Sequence, residues 1–110
     1  AYNTAFSKCG SLIVPGKNPQ STHAYHQYTL KLNGVDRNAL QAHLKKKGVP
    51  SMVYYPVPLH MQKAYRSERY HEGAFPVAER LSASVLSLPM HTELTEEQTQ
   101  YIINSVVEFL

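Results

Sequence analysis

The sequence predicts a small α+β domain, a two-layer sandwich in which a mainly antiparallel sheet is covered by helices. Three observations lead to this class: a segment of alternating polar and apolar residues, several segments with helical spacing, and a length of 110 residues. A chain of this length buries one core, and no internal repeat or low-complexity linker divides it. We therefore expect residues 1–110 to form a single domain.

The first half of the chain begins with a helical pattern and continues into a strand. The pattern opens the sequence without a capping residue, so we expect the end of a helix in a chain cut from a larger protein; it consists of Ala1, Tyr2, Ala5 and Phe6. From Gln27 to Leu32, apolar and polar residues alternate, which is typical of a half-buried strand.

A helix and a second strand are predicted next. Asp36 can accept hydrogen bonds from the first free amides of a helix that runs to about Lys47, and Gly48 supplies a left-handed stop. Residues 49–55 are β-branched and aromatic and end at Pro56, so we expect a strand there.

Two further helices complete the predicted elements. Pro76 suits the first turn of a helix, and the apolar residues that follow at helical spacing are Ala78, Leu81 and Val85. Residues 87–89 form a short extended piece. Thr95 and Gln98 then have the spacing of a capping box, which predicts a helix reaching Leu110.

Composition and charge argue against several functional classes. The net charge is +3, but the only basic run, residues 45–47, lies where a helix is expected to end, so nucleic-acid binding is not expected. No apolar run approaches the length of a membrane span, and no secretory signal opens the sequence. We therefore expect a cytoplasmic protein, in which the single Cys9 is an inert thiol.

Known catalytic and metal-binding motifs are absent from the sequence. The six histidines do not form a spacing typical of a metal site, and no serine lies in a GxSxG elbow. No GxGxxG or GxxxxGK[ST] phosphate loop is present. Any cofactor pocket is therefore expected to be incomplete within this chain, and no metal is expected.

The segment from Tyr54 to His60 is the strongest candidate for a binding site. Two phenols and an imidazole follow a predicted strand on a backbone stiffened by two prolines. Both groups can donate hydrogen bonds to phosphate or sugar oxygens, and the rings can stack on a base or pyranose. The alternative is that the tyrosines are core residues with paired hydroxyls. His23 and His26 precede a strand, and we expect them at the surface.

Three stretches resemble the DegT/DnrJ/EryC1/StrS aminotransferases, which act in polysaccharide and antibiotic pathways. In sequence order they are His26-Gln27-Tyr28-Thr29 with the Asp36 helix and Gly48-Val49-Pro50, then Tyr54-Tyr55-Pro56-Val57-Pro58-Leu59-His60, then Phe75-Pro76-Val77-Ala78-Glu79 through Ser87-Leu88-Pro89 to Leu94-Thr95-Glu96-Glu97-Gln98. The stretches span nearly the whole chain in the family's order.

The resemblance implies the small C-terminal domain of a homodimeric fold type I enzyme that depends on pyridoxal 5'-phosphate. Its large domain, absent here, would bind the cofactor and carry the Schiff-base lysine, so this chain would hold no catalytic residue and be inactive alone. The full-length enzyme would pass an amino group, usually from glutamate, to the keto-sugar of a nucleotide-sugar.

The resemblance also implies which residues lie near the substrate. Tyr54, Tyr55 and His60 are implied to contact the phosphate or sugar hydroxyls of the nucleotide-sugar, with His26 as a further candidate. Many relatives have histidine where Tyr54 stands, so a phenol contact there would have a different reach. The alternative function, from a different class, is a freestanding α+β module that binds a ligand or regulates another protein.

Overall fold

The computed structural model describes all residues from 1 to 110. It contains four α-helices and three β-strands, which in chain order are α1 (Tyr2–Phe6), β1 (Leu12–Ile13), β2 (Tyr28–Leu32), α2 (Arg37–Lys46), α3 (Pro76–Ser84), β3 (Val85–Leu88) and α4 (Glu96–Val107). Two short 3-10 turns, Leu59–Met61 and Lys63–Tyr65, lie between α2 and α3. The predicted α+β class is confirmed.

The three strands form one antiparallel sheet in the order β1-β2-β3. Leu32 of β2 is opposite Leu12 of β1, and Leu30 of β2 is opposite Leu86 of β3. Alternate residues of β2 are buried, as the period of two predicts, so these leucines point into the core.

The core lies between one face of the sheet and three of the helices. Its side chains come from all three strands and from α1, α2 and α4; those that are completely buried are Phe6, Leu30, Leu40, Leu44, Leu86 and Val106. Each helix turns one apolar stripe toward the sheet, because residues three or four apart share a helical face. No residue of α3 belongs to this core.

The predicted caps of α2 and α4 are confirmed. The Asp36 carboxylate accepts hydrogen bonds from two backbone N–H groups in the first turn of α2, and Gly48 takes a left-handed φ of 73° just after its end. At α4, Thr95 Oγ1 accepts from the Gln98 N–H, and Gln98 Oε1 accepts from the Thr95 N–H. These bonds fix where both helices begin.

The predicted strand over residues 49–55 is wrong. Only Met52 pairs with the sheet: its N–H donates to the carbonyl of Ser87 over 3.0 Å, and its carbonyl accepts from the Ser87 N–H over 2.7 Å. Pro50 has no N–H to donate, so the ladder cannot extend from Met52 toward the beginning of the predicted strand. The apolar residues that suggested a strand are placed differently; Val49, for example, is buried in the core.

The boundary between α3 and β3 also differs from the prediction. The spacing that includes Val85 in the helix is accidental, because α3 ends at Ser84 and Val85 pairs with Lys31 in the sheet. The Arg37 guanidinium donates to the carbonyl of Ser82 over 2.8 Å, which places a positive charge at the negative end of α3. The two-residue strand β1 was not predicted at all.

Residues 50–84, called here the outer segment, contain no buried residue. The segment includes both 3-10 turns and all of α3, and it lies between two buried valines, Val49 and Val85. The radius of gyration of the chain is 15.6 Å, whereas about 13 Å is typical of a compact domain of this length. The chain is therefore less compact than a typical domain of its length.

Candidate functional site

Two exposed phenols lie at the beginning of the outer segment. Tyr54 is 42% exposed and Tyr55 is 75% exposed, and their rings are nearly perpendicular with centroids 6.1 Å apart. Pro56 follows immediately and fixes its own backbone φ. The alternative that these tyrosines are core residues does not hold, so their hydroxyls are available to a ligand.

Tyr54 and His26 meet in a cleft at the outer edge of β3. The cleft has a volume of about 330 Å³, and Met52, Ser87 and Pro89 contribute to its walls. His26 is exposed and lies just before β2, whereas Tyr54 follows the Met52 bridge. Two of the predicted site residues, far apart in sequence, are thus brought together by the antiparallel sheet.

A second, more apolar groove adjoins this cleft and shares Tyr54 with it. It has a volume of about 470 Å³ and lies between the Tyr54–Leu59 stretch and α3; the apolar residues along it include Tyr55, Val57, Pro58, Leu59, Ala78 and Leu81. Thr29 and Val85 form its floor on the sheet face opposite the core. An aromatic or sugar ring could lie against this wall while the two phenols bind its polar groups.

His60, the fourth predicted residue, is turned away from both hollows and is largely covered. Its side chain is 8% exposed, and its Nε2 lies 2.8 Å from Oε1 of Glu79 in α3. Its ring also packs edge to face on Phe75, with centroids 4.9 Å apart. Only Nδ1 of this imidazole is therefore without a hydrogen bond from the chain, and the four residues do not converge on one point.

Glu79 is the residue that sequence reasoning missed. Besides His60, its carboxylate accepts from the backbone N–H groups of Gly73, at 2.9 and 3.0 Å, and of Phe75, at 3.3 Å. Burial opposes the charge, but these donors together hold the pKa of Glu79 below its usual range. The Phe-Pro-x-Ala-Glu motif contained this residue, but nothing in its spacing pointed to His60.

All seven lysines of this chain lie at least partly at the surface. A lysine that condenses with a carbonyl cofactor needs a sheltered, readily deprotonated amine. Five of the lysines are exposed and two, Lys31 and Lys47, are half-buried. Lys47 is paired with Glu108 at 2.8 Å, and this hydrogen bond raises the pKa of its amine.

Two other classes of site receive no support from the arrangement of side chains. No group of three or more His, Cys, Asp and Glu residues lies close enough to hold a metal ion. No helix has the length and apolar character needed to pass through a bilayer.

Comparison with characterised proteins gives consistent matches along the chain. A pleiotropic regulatory protein of Geobacillus stearothermophilus is 46% identical over 101 residues, which are 91% of this chain and 27% of that protein. The dTDP-3-amino-3,4,6-trideoxy-α-D-glucose transaminase of Streptomyces venezuelae is 33% identical over 108 residues, 98% of this chain and 28% of the transaminase. The chain therefore spans a little over a quarter of the length of these relatives.

A solved structure and a family description agree with these relatives. The crystal structure of DesV from Streptomyces venezuelae in complex with a ketimine intermediate matches with a TM-score of 0.89 and 31% identity, covering 97% of this chain and 28% of that one. The sequence model of the DegT/DnrJ/EryC1/StrS aminotransferase family matches residues 1–107. Because the match runs along nearly the entire fold, this chain belongs to the DegT/DnrJ/EryC1/StrS aminotransferase family.

Proposed function

We propose that residues 1–110 are the small C-terminal domain of an aminotransferase that passes an amino group, from glutamate, to the keto-sugar of a nucleotide-sugar. The observation that carries this proposal is the family match over residues 1–107. It is supported by a relative named as a transaminase for a dTDP-linked sugar. A freestanding ligand-binding or regulatory module, the alternative, gains no support from relatives of which this chain spans about a quarter.

The domain-level role we propose is to close one side of the active-site cleft. The outer segment carries large apolar side chains that line one groove and that the chain itself leaves open to water, among them Tyr55, Leu59 and Leu81. Contiguous exposed apolar surface of this kind is typical of an interface. We propose that the remainder of the full-length enzyme packs against this side, so that the Tyr54–Tyr55 corner faces an enclosed space from which water is largely removed.

Pyridoxal 5'-phosphate, in this proposal, is bound by the large domain of the full-length enzyme. When bound, it supplies the carbonyl chemistry by which an amino group is taken from a donor and given to an acceptor. We place the lysine that would attach the cofactor in that large domain as well, since the lysines of this chain lie at least partly at its surface. The isolated chain is accordingly expected to have no transaminase activity, and its residues act on the substrate only by binding and orienting it.

The residues we assign to the nucleotide-sugar are Tyr54, Tyr55 and His26. The two phenols can donate hydrogen bonds to diphosphate or sugar oxygens, and His26 faces the same cleft as Tyr54. His60 belongs to the same group of predicted residues, but its Nε2 is bonded to Glu79, so only Nδ1 could reach a ligand.

The remaining features of the proposal concern the full-length enzyme in its setting. We propose a cytoplasmic homodimer whose partners are the nucleotide-sugar and the amino donor, without a role for nucleic acid or membrane.

The test of the site uses the full-length enzyme with Tyr55→Phe. This substitution keeps the ring and removes one hydrogen bond to a charged or polar substrate group, so the KM for the nucleotide-sugar is expected to rise about tenfold. The yellow colour of the bound cofactor, and its loss on adding glutamate, should not change. Both quantities are measured by absorbance.

Tyr65→Phe is the matched control for this experiment. Tyr65 is 57% exposed in the same outer segment but lines neither the cleft nor the groove, so its loss of a hydroxyl should leave the KM unchanged. Equal values of KM for wild type and Tyr55→Phe would remove Tyr55 from the site. A wild-type enzyme without activity on any nucleotide-linked keto-sugar would overturn the proposed function itself.

A further inference from the structure

The outer segment contributes no buried residue, and only Val53 of it packs against the core, so apolar packing alone does not fix its shape. No residue of the segment is buried as a whole. Its backbone hydrogen bonds lie in α3, in the two 3-10 turns, at the bridges of Met52 and of Ser67 with Tyr70, and in one turn where the Ala74 N–H donates to the His71 carbonyl. Segments with so few buried contacts open readily unless polar interactions hold them.

Glu79 is the point at which the outer segment is tied together. One carboxylate reaches three places along the chain: the imidazole of His60, the N–H of Gly73 and the N–H of Phe75. Phe75 closes the same cluster by packing on the His60 ring. The stretch from His60 to Phe75 is therefore a loop whose two ends are held by a single side chain of α3.

The hydrogen bond to Glu79 also fixes the state of the imidazole. A carboxylate only accepts, so Nε2 of His60 must carry the proton that it donates. Because Nε2 is hydrogen-bonded to Glu79 and the side chain is only 8% exposed, the orientation of the His60 ring is fixed.

The position of His60 is transmitted to the two phenols through a short, stiff stretch of backbone. His60 lies in the turn Leu59–Met61, where the Met61 N–H donates to the Pro58 carbonyl over 2.9 Å. Between His60 and Tyr55 two residues are proline, with φ fixed by their rings. Movement of the imidazole would therefore move the backbone that carries Tyr55.

We propose that Glu79 and His60 form a positioning pair that aims Tyr54 and Tyr55 at the nucleotide-sugar. Glu79 acts through His60, and His60 acts through the proline-braced turn. Neither needs to touch the substrate. This inference rests on the proposed function, because it assigns the pair a purpose in binding that substrate.

The first test measures Glu79→Gln in the full-length enzyme. Loss of the charge weakens all three hydrogen bonds, so the KM for the nucleotide-sugar should rise about tenfold, while kcat and the half-reaction with glutamate stay within about twofold. Amide hydrogen exchange at Gly73 and Phe75 should become faster. Glu108→Gln, which breaks the Lys47–Glu108 pair at 2.8 Å, is the matched control and should change none of these values.

The second test separates positioning from a contact made by His60 itself. In His60→Gln the side-chain amide can still donate to Glu79, so the KM should stay near that of wild type, whereas His60→Ala should raise it as Glu79→Gln does. If His60→Gln raises the KM as much as His60→Ala, the imidazole contacts the substrate directly and the proposal is wrong.

The third test asks whether the pair acts through the two phenols. When Glu79→Gln is added to the variant Tyr54→Phe with Tyr55→Phe, the effect of the two phenylalanines and that of Glu79→Gln on KM should not multiply, because the hydroxyls that Glu79→Gln misplaces are already absent. A full product of the two factors would overturn the proposal. So would an unchanged KM in Glu79→Gln when the wild-type enzyme is active. A wild-type enzyme inactive on nucleotide-sugars would instead refute the proposed function, and with it the purpose assigned to the pair.

Discussion

The core and the outer segment are held together in different ways. Fourteen buried apolar side chains form one cluster, and all of them lie before residue 50 or after residue 84. The outer segment contributes none, and a single carboxylate, that of Glu79, holds the two ends of its 60–75 loop. The core therefore fixes the fold, whereas the outer segment carries most of the residues proposed to contact substrate. Substitutions in the two regions are expected to change different quantities.

The largest expected effect is on stability, from a core truncation. Leu30→Ala removes a completely buried side chain at the centre of the sheet and should lower the free energy of unfolding by about 2–5 kcal/mol. Leu59→Ala removes the same atoms from a side chain that is 62% exposed in the outer segment, and the loss should be about 0.5 kcal/mol or less. Urea unfolding followed by circular dichroism measures both, and equal losses would erase the distinction between the regions.

A smaller effect is expected from the helix caps, which stabilise the core side of the molecule. Asp36→Ala and Thr95→Ala each remove a hydrogen bond to free amides at a helix start, so each should cost about 1 kcal/mol. Asp36→Asn keeps an accepting oxygen and should be close to wild type. If Asp36→Ala also changed the KM of the full-length enzyme for the nucleotide-sugar, the two regions would be coupled more tightly than their packing indicates.

The smallest effect at neutral pH concerns the phenols of Tyr2 and Tyr28. Burial, followed by the neighbouring tyrosine in each case, raises the pKa of both to about 12 from an ordinary value of 10.0. Their folded pKa is the higher one, so they stabilise the fold fully below pH 10 and this stability is lost as the pH rises toward 12. Absorbance of phenolate against pH should reveal two late-titrating groups, and Tyr28→Phe should remove one. Two groups left in that variant would contradict the assignment.

The sequence predicted the core better than the outer segment, for a physical reason. The strand β2 and the helices α2 and α4 have local signals: an alternating pattern that reports one buried face, or a cap whose partners are three residues apart. The strand β1 is only two residues long, which is too short for a pattern to emerge. The strand predicted over residues 49–55 is wrong because its composition matches that of a strand, whereas only Met52 pairs with the sheet and Pro50 lacks the N–H needed to extend the pairing.

The candidate site was predicted in part. Its tyrosines were found because phenols on a proline-rich turn are unusual, but their exposure depends on how α3 and the turn lie together. His60 and Glu79 are 19 residues apart and are separated by irregular backbone, so no helical or strand periodicity in the sequence predicts their contact. The meeting of His26 with Tyr54 needs the sheet topology and the Met52 bridge, both of which are tertiary features.

The single-residue bridge at Met52 determines which changes in chain length the sheet tolerates. A ladder of several pairs has a register, and one added or deleted residue turns every later side chain to the wrong face. A bridge of one residue has no register to preserve. A residue added or deleted next to Met52 can therefore be accommodated by the neighbouring loop without turning the side chains of the sheet to the wrong face.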